Sequence, residues 1–172
     1  EELYGHYAKP LARFLYHLSW DAPTVEEGVQ EVFLRLWRSA RNWRPTGKFS
    51  TYLFQIAKNW WINERVRRSR RIRPVPLPGN EAAGAECAGP SGDASPEEAA
   101  RRAEAAAHVR RAVADLPEKL HVTFVLSEYE GMKYAEIAEV LDIPVGTVKS
   151  RMAAAEKALR RKLERLFPGG AP

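Results

Sequence analysis

The sequence has few of the residues on which covalent cross-links and metal centres depend. Its 172 residues include a single cysteine, Cys87, which excludes an internal disulfide and a cysteine-rich zinc site. The four histidines show no metal-ligand spacing with one another or with this cysteine. They are His6, His17, His108 and His121. We therefore expect neither a metal nor a cofactor.

Long apolar runs are also absent. Hydrophobic residues make up 45% of the chain, yet no run approaches the roughly 20 apolar residues that span a bilayer. No signal-peptide pattern is visible. The sequence predicts a soluble cytoplasmic protein that does not insert into membranes.

Positive charge is in excess, and it is unevenly distributed. The formal net charge is +5, and residues 1–73 alone hold 14 Lys/Arg against 7 Asp/Glu. Much of this excess comes from six arginines near the end of that segment, namely Arg65, Arg67, Arg68, Arg70, Arg71 and Arg73. Such a cluster suits a polyanionic partner, although basic runs are often only solvated.

The most informative segment runs from Lys133 to Arg151 and predicts two helices joined by a tight turn. The apolar residues of the first helix are spaced as one buried face: Tyr134, Ile137, Ala138 and Leu141. Pro144 lies at or just before the first turn of the second helix, where its missing N–H costs nothing. The predicted buried stripe of that helix is Val145, Val148, Met152, Ala155 and Leu159. Small and basic residues occupy its other faces.

This pattern predicts a helix-turn-helix with its recognition helix second. A helix opened by Gly146 and Thr147, with basic residues outward, can lie in a major groove close to the phosphate backbone. An ordinary helical hairpin with a solvated basic face is the alternative for this stretch.

Further upstream, the pattern predicts a second helical module and a linker. Between Pro74 and Ser95, proline, glycine and serine replace apolar periodicity, which is typical of a flexible linker. Ser95, Pro96 and Glu98 then form a capping box that opens a helix reaching about Leu116. We predict an all-α fold with two small helical domains, residues 1–73 and 96–172, joined by the linker 74–95.

The N-terminal module carries two amphipathic helices. The first buries a stripe formed by Val29, Val32, Phe33, Leu36 and Trp37 and leaves Leu34 on the opposite face. Gly28 inside this helix costs roughly 1 kcal/mol relative to alanine, so tertiary packing must compensate. The second helix is predicted to pack through Phe49, Leu53, Ile56, Ala57 and Trp60. Its predicted exposed face is Tyr52, Lys58, Asn59, Ile62 and Asn63.

Aromatic residues alternate with Asn, Lys and Arg in this region. Exposed rings that stack on bases, beside cations that follow the backbone, suit single-stranded nucleic acid. The alternative for Trp43, Trp60 and Trp61 is ordinary core packing.

Two segments of the chain resemble bacterial sigma factors. Val29–Trp37 and Phe49–Asn59 are similar to conserved region two of that family, and Leu116–Arg151 is similar to region four. The short length, with only these two modules and a linker, resembles the extracytoplasmic-function (ECF) group. Gly28 and Asn63 depart from the usual pattern, which has a larger aliphatic residue and an acidic residue at these positions.

The resemblance implies a sigma factor that binds core RNA polymerase, directs promoter-specific initiation and helps to melt the promoter. It implies that region two binds the clamp helices of the largest polymerase subunit and captures the melted −10 element. Region four would read the −35 element and pack on the flap of the second-largest subunit. Many members of the group are held by an anti-sigma factor, which is therefore an expected partner.

The resemblance also assigns residues to three surfaces. The polymerase-binding residues would be Gln30, Glu31, Leu34, Arg35 and Arg38. The residues for the single-stranded −10 element would be Trp43, Lys48, Lys58, Asn59, Asn63 and Arg65. The −35 element would be read by Thr147, Lys149, Ser150, Arg151 and Lys157.

Two other classes of function compete with this interpretation. An enzyme is disfavoured because Gly47-Lys48 lacks the remainder of a P-loop and no nucleophile elbow or catalytic triad is evident. We expect no catalytic residue. A conventional helix-turn-helix regulator would bind a palindromic operator on its own, whereas a sigma factor binds promoters well only within the polymerase holoenzyme.

Overall fold

The computed structural model describes residues 2–41, 47–71 and 95–166, and these residues form helices without any strand. The predicted all-α fold is therefore confirmed for this part of the chain. The helices are α1 (Glu2–Ser19), α2 (Ala22–Ser39), α3 (Phe49–Arg71), α4 (Pro96–Ala114), α5 (Glu118–Phe124), α6 (Tyr134–Leu141) and α7 (Val145–Leu166). A π-helical turn over Val125–Tyr129 continues α5. The predicted linker lies outside the described residues apart from Ser95.

The first three helices share a core of large aliphatic and aromatic side chains. Residues with almost no exposed surface come from each helix, including Phe14 of α1, Val32 of α2 and Leu53 of α3. Asp21 caps α2 by accepting a hydrogen bond from the Thr24 amide at 3.1 Å, which satisfies one of the donors left open at a helix start. The cap therefore sets the residue at which α2 begins, directly after the turn that follows α1.

Gly28 is required by the way α2 packs on α3. A Cβ added at this position would lie 2.6 Å from Cζ3 of Trp60 and 2.7 Å from Cδ1 of Leu15. Both neighbours are buried, so neither side chain can move into solvent. A larger residue, which the resemblance led us to expect here, would collide with the Trp60 ring.

The predicted stripe of α2 is correct except at its end. Val29 and Val32 are buried and Phe33 and Leu36 are partly buried, but Trp37 is 81% exposed. Phe33 packs against Tyr4 near the start of α1, with ring centroids 4.9 Å apart. Trp37 lies one helical turn, about 5.4 Å, further along α2, and none of the described helices covers it.

The predicted helix-turn-helix is present as α6 and α7. Ile137 and Ala138 are buried on α6, and α7 begins directly after Pro144, as expected. Asp142 ends α6 in the left-handed conformation (φ 55°), which Asp tolerates better than most residues. The predicted stripe of α7 is buried from Val148 onward, but Val145 is 39% exposed. Val145 is the first residue of the helix and precedes the turn that reaches the core.

Helix α4 begins where the capping signal predicted. The Ser95 hydroxyl accepts a hydrogen bond from the Glu98 amide at 3.3 Å, and Pro96 is the first helical residue. Its last turns pack against α7 in a small second core, formed by Ala112, Val113, Leu116, Ala155 and Leu159. This contact attaches α4 to the outer side of the helix-turn-helix.

The two sets of helices dock against each other. Their buried residues form one continuous core that includes Phe14 and Trp61 from the N-terminal helices and Leu126 and Ile137 from the C-terminal ones. Polar contacts surround it: Arg13 pairs with Glu130 at 2.7 Å, Lys48 with Glu136 at 2.6 Å, and the Gln55 side chain donates to the Glu139 carbonyl at 2.7 Å.

This docking corrects the predicted exposed face of α3. Lys58 and Ile62 are partly buried and Trp61 is buried. Tyr52 is also partly buried, but its hydroxyl donates to Ser39 at the end of α2. The spacing of Leu53, Ala57 and Trp60 predicts one apolar face of α3, towards α1 and α2, although the whole helix is only weakly amphipathic. Its other face is covered by a partner from elsewhere in the chain, and no periodicity within α3 identifies such a partner.

Candidate polymerase and nucleic-acid interfaces

The outward face of α7 carries the residues expected at the −35 element. Lys149, Ser150 and Lys157 are exposed, and Thr147 and Arg151 are partly buried. The opposite stripe, from Val148 to Leu159, is buried against the other C-terminal helices. The helix therefore presents two lysines to solvent on a rigidly packed support, which suits binding to a phosphate backbone or to base edges.

The residues expected at the −10 element do not lie on one surface. Lys58 lies at the junction with the C-terminal helices, and burial lowers its pKa. Asn59 and Asn63 are both exposed one turn apart on α3, and Asn63 also borders the groove between α2 and α3. Asn63 is five positions after Lys58, so the two side chains lie about 140° apart around the axis of α3. Trp43 lies outside the described residues.

Two other members of that set are engaged by the C-terminal helices. The Lys48 ammonium donates a hydrogen bond to Glu136, and this bond raises the pKa of Lys48 and lowers that of Glu136. Arg65 is partly buried and lies close enough to His121 to affect the titration of that ring. Lys48 keeps 68% of its side chain exposed, but its ammonium is held by this ion pair, and Arg65 is partly buried.

The arginine cluster at the end of α3 is partly neutralised. Arg67 pairs with Glu64 at 2.7 Å and with Glu27 at 2.9 Å, and Arg68 pairs with Glu64 at 2.8 Å and Asp21 at 3.6 Å. Burial favours the neutral form of Glu64, but the hydrogen bonds from both arginines hold the pKa of its carboxyl below the usual value. These two arginines therefore tie α3 to α2 and to its cap, and they contribute less to a free basic patch than their number suggests.

The expected polymerase-binding residues form a continuous outer surface of α2. Gln30, Leu34 and Arg38 are exposed, and Glu31 holds Arg35 through an ion pair of 2.8 Å. Leu34 retains 49% of its accessible surface, as predicted for the face opposite the stripe. Four of these five residues, all but Arg38, line an open groove of about 360 Å³ between α2 and α3.

A second groove brings together residues assigned to different DNA elements. Lys58 of α3 and Arg151 of α7 both line a largely apolar cleft of about 280 Å³ between the two sets of helices. The −10 and −35 elements are about 25 base pairs apart, which is roughly 85 Å along B-form DNA. One cleft cannot hold residues that contact both elements at once.

No sequence pattern identifies the residues that join the N-terminal and C-terminal sets of helices. Arg13, Gln55, Tyr129 and Glu130 had no assigned role, and only long-range contacts distinguish them from solvated polar or core residues. The described residues contain no group of three potential metal-ligating side chains, and none of their helices is long and apolar enough to cross a membrane.

Comparison with known proteins identifies the family. The family description for sigma-70 region 2 matches residues 3–72, and that for sigma-70 region 4 matches residues 107–159. The chain is 35% identical to the RNA polymerase sigma-H factor of Pseudomonas aeruginosa over 158 residues, covering 91% of this chain and 80% of the relative. It is 36% identical to the ECF RNA polymerase sigma-E factor of Escherichia coli over 153 residues, covering 88% and 78%.

The chain belongs to the ECF sigma factors. It is therefore a factor for promoter-specific transcription initiation, and the conventional helix-turn-helix regulator is ruled out as its class. Sigma factors are themselves non-catalytic initiation factors.

Solved structures agree with the fold of this sigma factor. The sigma factor RpoE of Bartonella quintana, in complex with the anti-sigma factor NepR, matches with a TM-score of 0.67 over 95% of both chains at 18% identity. CnrH, in complex with the cytosolic domain of CnrY, matches with the same score over 95% of this chain and 86% of that chain at 22% identity. At these identities the likeness establishes the fold alone.

Proposed function

We propose that this sigma factor divides its work between two domains, residues 1–73 and 96–172. The first binds core polymerase through the outer face of α2 and holds the melted −10 strand along α3. The second reads the −35 element through α7 and packs on the polymerase flap. In this proposal the chain acts in the cytoplasm, catalyses no reaction itself and needs no cofactor.

The observation that carries this proposal is the two-sided character of α7. Its apolar stripe is buried, so the helix cannot rotate, and Lys149, Ser150 and Lys157 face outward on the free side. Thr147 and Arg151 border the same face at its first turn. A recognition helix needs this combination of a fixed axis and free polar side chains.

The polymerase contact is supported by the composition of the α2 surface. Leu34 is an exposed apolar residue surrounded by Gln30, Glu31 and Arg35, which resembles an apolar anchor inside a polar rim. An anti-sigma factor is a further proposed partner, since the structurally similar sigma factor RpoE was solved in complex with the anti-sigma factor NepR.

DNA binding by both domains requires the docked arrangement to open. Lys48 and Lys58 face the C-terminal helices, and Arg151 lines the same cleft as Lys58. We therefore infer that the structure is a closed form, and that binding of polymerase and promoter separates the two domains.

The experiment compares α7 variants within the polymerase holoenzyme. Lys149→Ala is expected to weaken −35 protection in footprinting by about 5- to 150-fold if the side chain contacts a base edge, in line with about 1–3 kcal/mol per specific contact. A phosphate contact would instead weaken binding to all sequences and reduce the salt slope by about one unit. Arg165→Ala, an exposed arginine in the last described turn of α7, is the matched control. Equal protection by both variants would refute the assignment of α7.

A further inference from the structure

A buried aromatic and imidazole cluster joins the two halves of the sigma factor. Tyr129, the last residue of the π-helical turn, stacks on His17 of α1 with ring centroids 3.9 Å apart and planes 16° apart. Trp20 packs edge-on against both rings. His121 of α5 donates a hydrogen bond from Nε2 to the His17 carbonyl, with a separation of 3.2 Å.

The π-helical turn explains how Tyr129 reaches α1. The Glu130 amide donates to the Val125 carbonyl five residues earlier, at 3.1 Å, so the chain is wound one residue wider than in an α-helix. Such turns are rare and are found frequently at functional sites. Here the turn places Tyr129 against His17, and Glu130, the next residue, against Arg13.

Both imidazoles are neutral in the docked form because of their surroundings. His17 is 5% exposed and His121 is 2% exposed. Burial lowers the pKa of His17, against a hydrogen bond to the Arg13 backbone that raises it, and the Arg13 charge lowers it further. Burial lowers the pKa of His121 to about 4, against the favourable hydrogen bond to the His17 carbonyl, and the charge of Arg65 lowers it further.

The charged side chains around the two rings do not compensate for an added positive charge. The charged and titratable side chains near the cluster are Arg13 and Tyr16 of α1, Arg65 of α3, and Tyr129 and Glu130 of the C-terminal half. The one carboxylate among them, Glu130, already pairs with Arg13 and has only 2% of its side chain exposed. A protonated imidazole would therefore sit in a dry site beside an arginine.

We propose that this cluster is an acid-sensitive latch, which holds the two domains together while both rings are neutral and releases them when the rings bind protons. The release uncovers the residues that face DNA, a consequence that rests on the proposed function. The latch itself does not depend on it.

The direction and size of the effect follow from proton linkage. A base whose pKa is lowered in the closed form makes that form bind fewer protons than the open one. The closed form is therefore fully stabilised above about pH 6.5 and loses stability as the pH falls towards 4. If opening returns His121 to a pKa of 6.5, the ratio of closed to open molecules falls about 30-fold between pH 7.5 and pH 5.

The test is a distance measurement on the free protein, without DNA or polymerase. Glu26→Cys on α2 and Glu156→Cys on α7 carry a donor and an acceptor dye in a Cys87→Ser background, at constant ionic strength. A parallel series with Lys48→Ala removes the ion pair to Glu136 and brings the closed and open forms nearer to balance. Energy transfer is expected to fall as the pH is lowered from 7.5 to 5.

Histidine variants then locate the sensor. His17→Gln together with His121→Gln is expected to abolish this pH step, whereas His6→Gln, an exposed histidine on the same helix as His17, leaves it in place. A chain without the step, or a double variant that keeps it, would overturn the proposal. The double variant is checked for folding by far-UV circular dichroism. If it does not fold, His17 and His121 are titrated by NMR in the unsubstituted protein instead. Rings of His17 and His121 that titrate while the energy transfer stays constant refute the latch.

Failure of the latch and failure of the proposed function give different results. The distance measurement involves neither promoter nor polymerase. A missing pH step therefore leaves the α7 footprints informative, and an unchanged footprint for Lys149→Ala leaves the latch standing.

Discussion

Replacing Gly28 by alanine tests the packing that holds α2 against α3. In an exposed helix this change stabilises by about 1 kcal/mol, because alanine has the higher helix propensity. At Gly28 the new Cβ would meet the Trp60 ring at 2.6 Å and Leu15 at 2.7 Å, closer than real Cβ atoms approach. Overpacking of a well-filled core costs about 1–3 kcal/mol. The Trp60 ring contributes two such contacts and Leu15 one, all from buried side chains, so we expect a cost at the upper end of this range. After the gain in helix propensity is subtracted, the net destabilisation is about 1–2 kcal/mol.

The assay is equilibrium urea denaturation of the full chain, followed by circular dichroism. Gly5→Ala is the matched control, because Gly5 is exposed in α1 and a Cβ there would meet nothing within 4 Å. We expect that control to be neutral or to stabilise by up to about 1 kcal/mol. A second variant, Trp60→Phe, removes the ring atoms that the Cβ would meet.

The double variant makes the test specific to one contact. Gly28→Ala is expected to cost less in the Trp60→Phe background than in the original chain, with a coupling of about 1 kcal/mol or more. A Gly28→Ala chain as stable as Gly5→Ala would refute the close approach of α2 to α3. Equal costs in both backgrounds would show that Trp60 is not the residue responsible.

Three further changes have expected outcomes. Leu34→Glu leaves thermal unfolding nearly unchanged but abolishes co-purification with core polymerase, whereas Val109→Glu, an exposed apolar residue of α4, retains it. Trp37→Ala shifts the free energy of unfolding by less than about 0.5 kcal/mol, since that ring is largely in solvent. Asp21→Ala removes the cap of α2 and costs about 1 kcal/mol at pH 7. The hydrogen bond from the Thr24 hydroxyl lowers the pKa of Asp21 below 3.8, so this difference is present above that pH and disappears as the pH falls through the lowered value.

Ion pairs leave the basic N-terminal segment with less unpaired positive charge than its arginine count suggests. A count of arginines suggested a free basic patch, but Arg67 and Arg68 are occupied by Glu27, Glu64 and Asp21. Their carboxylate partners are contributed by α2, by its cap and by the preceding turn of α3. A polyanion would have to compete with these ion pairs for the same guanidinium groups.

The sequence alone predicted most of the helices, though not α1 or α5, and the class of protein. The stripes of α6 and α7, the cap at Ser95 and the turn before Pro144 depend on neighbours within a few residues. Backbone hydrogen bonding and helical periodicity act over that same range. Local patterns therefore predicted most helix faces, and the order of the two modules pointed to the sigma factors before any contact was known.

Only the tertiary structure decided which faces are covered. Trp37 follows the same periodicity as Val29, yet it is exposed because none of the described helices packs over it. Lys58 has the character of a solvated residue, yet the C-terminal helices cover it. Burial depends on where a partner helix begins and ends, and that partner is tens of residues away in the chain. The stack of His17 on Tyr129 depends on two helices separated by more than 100 residues, and periodicity within either helix contains no information about the other.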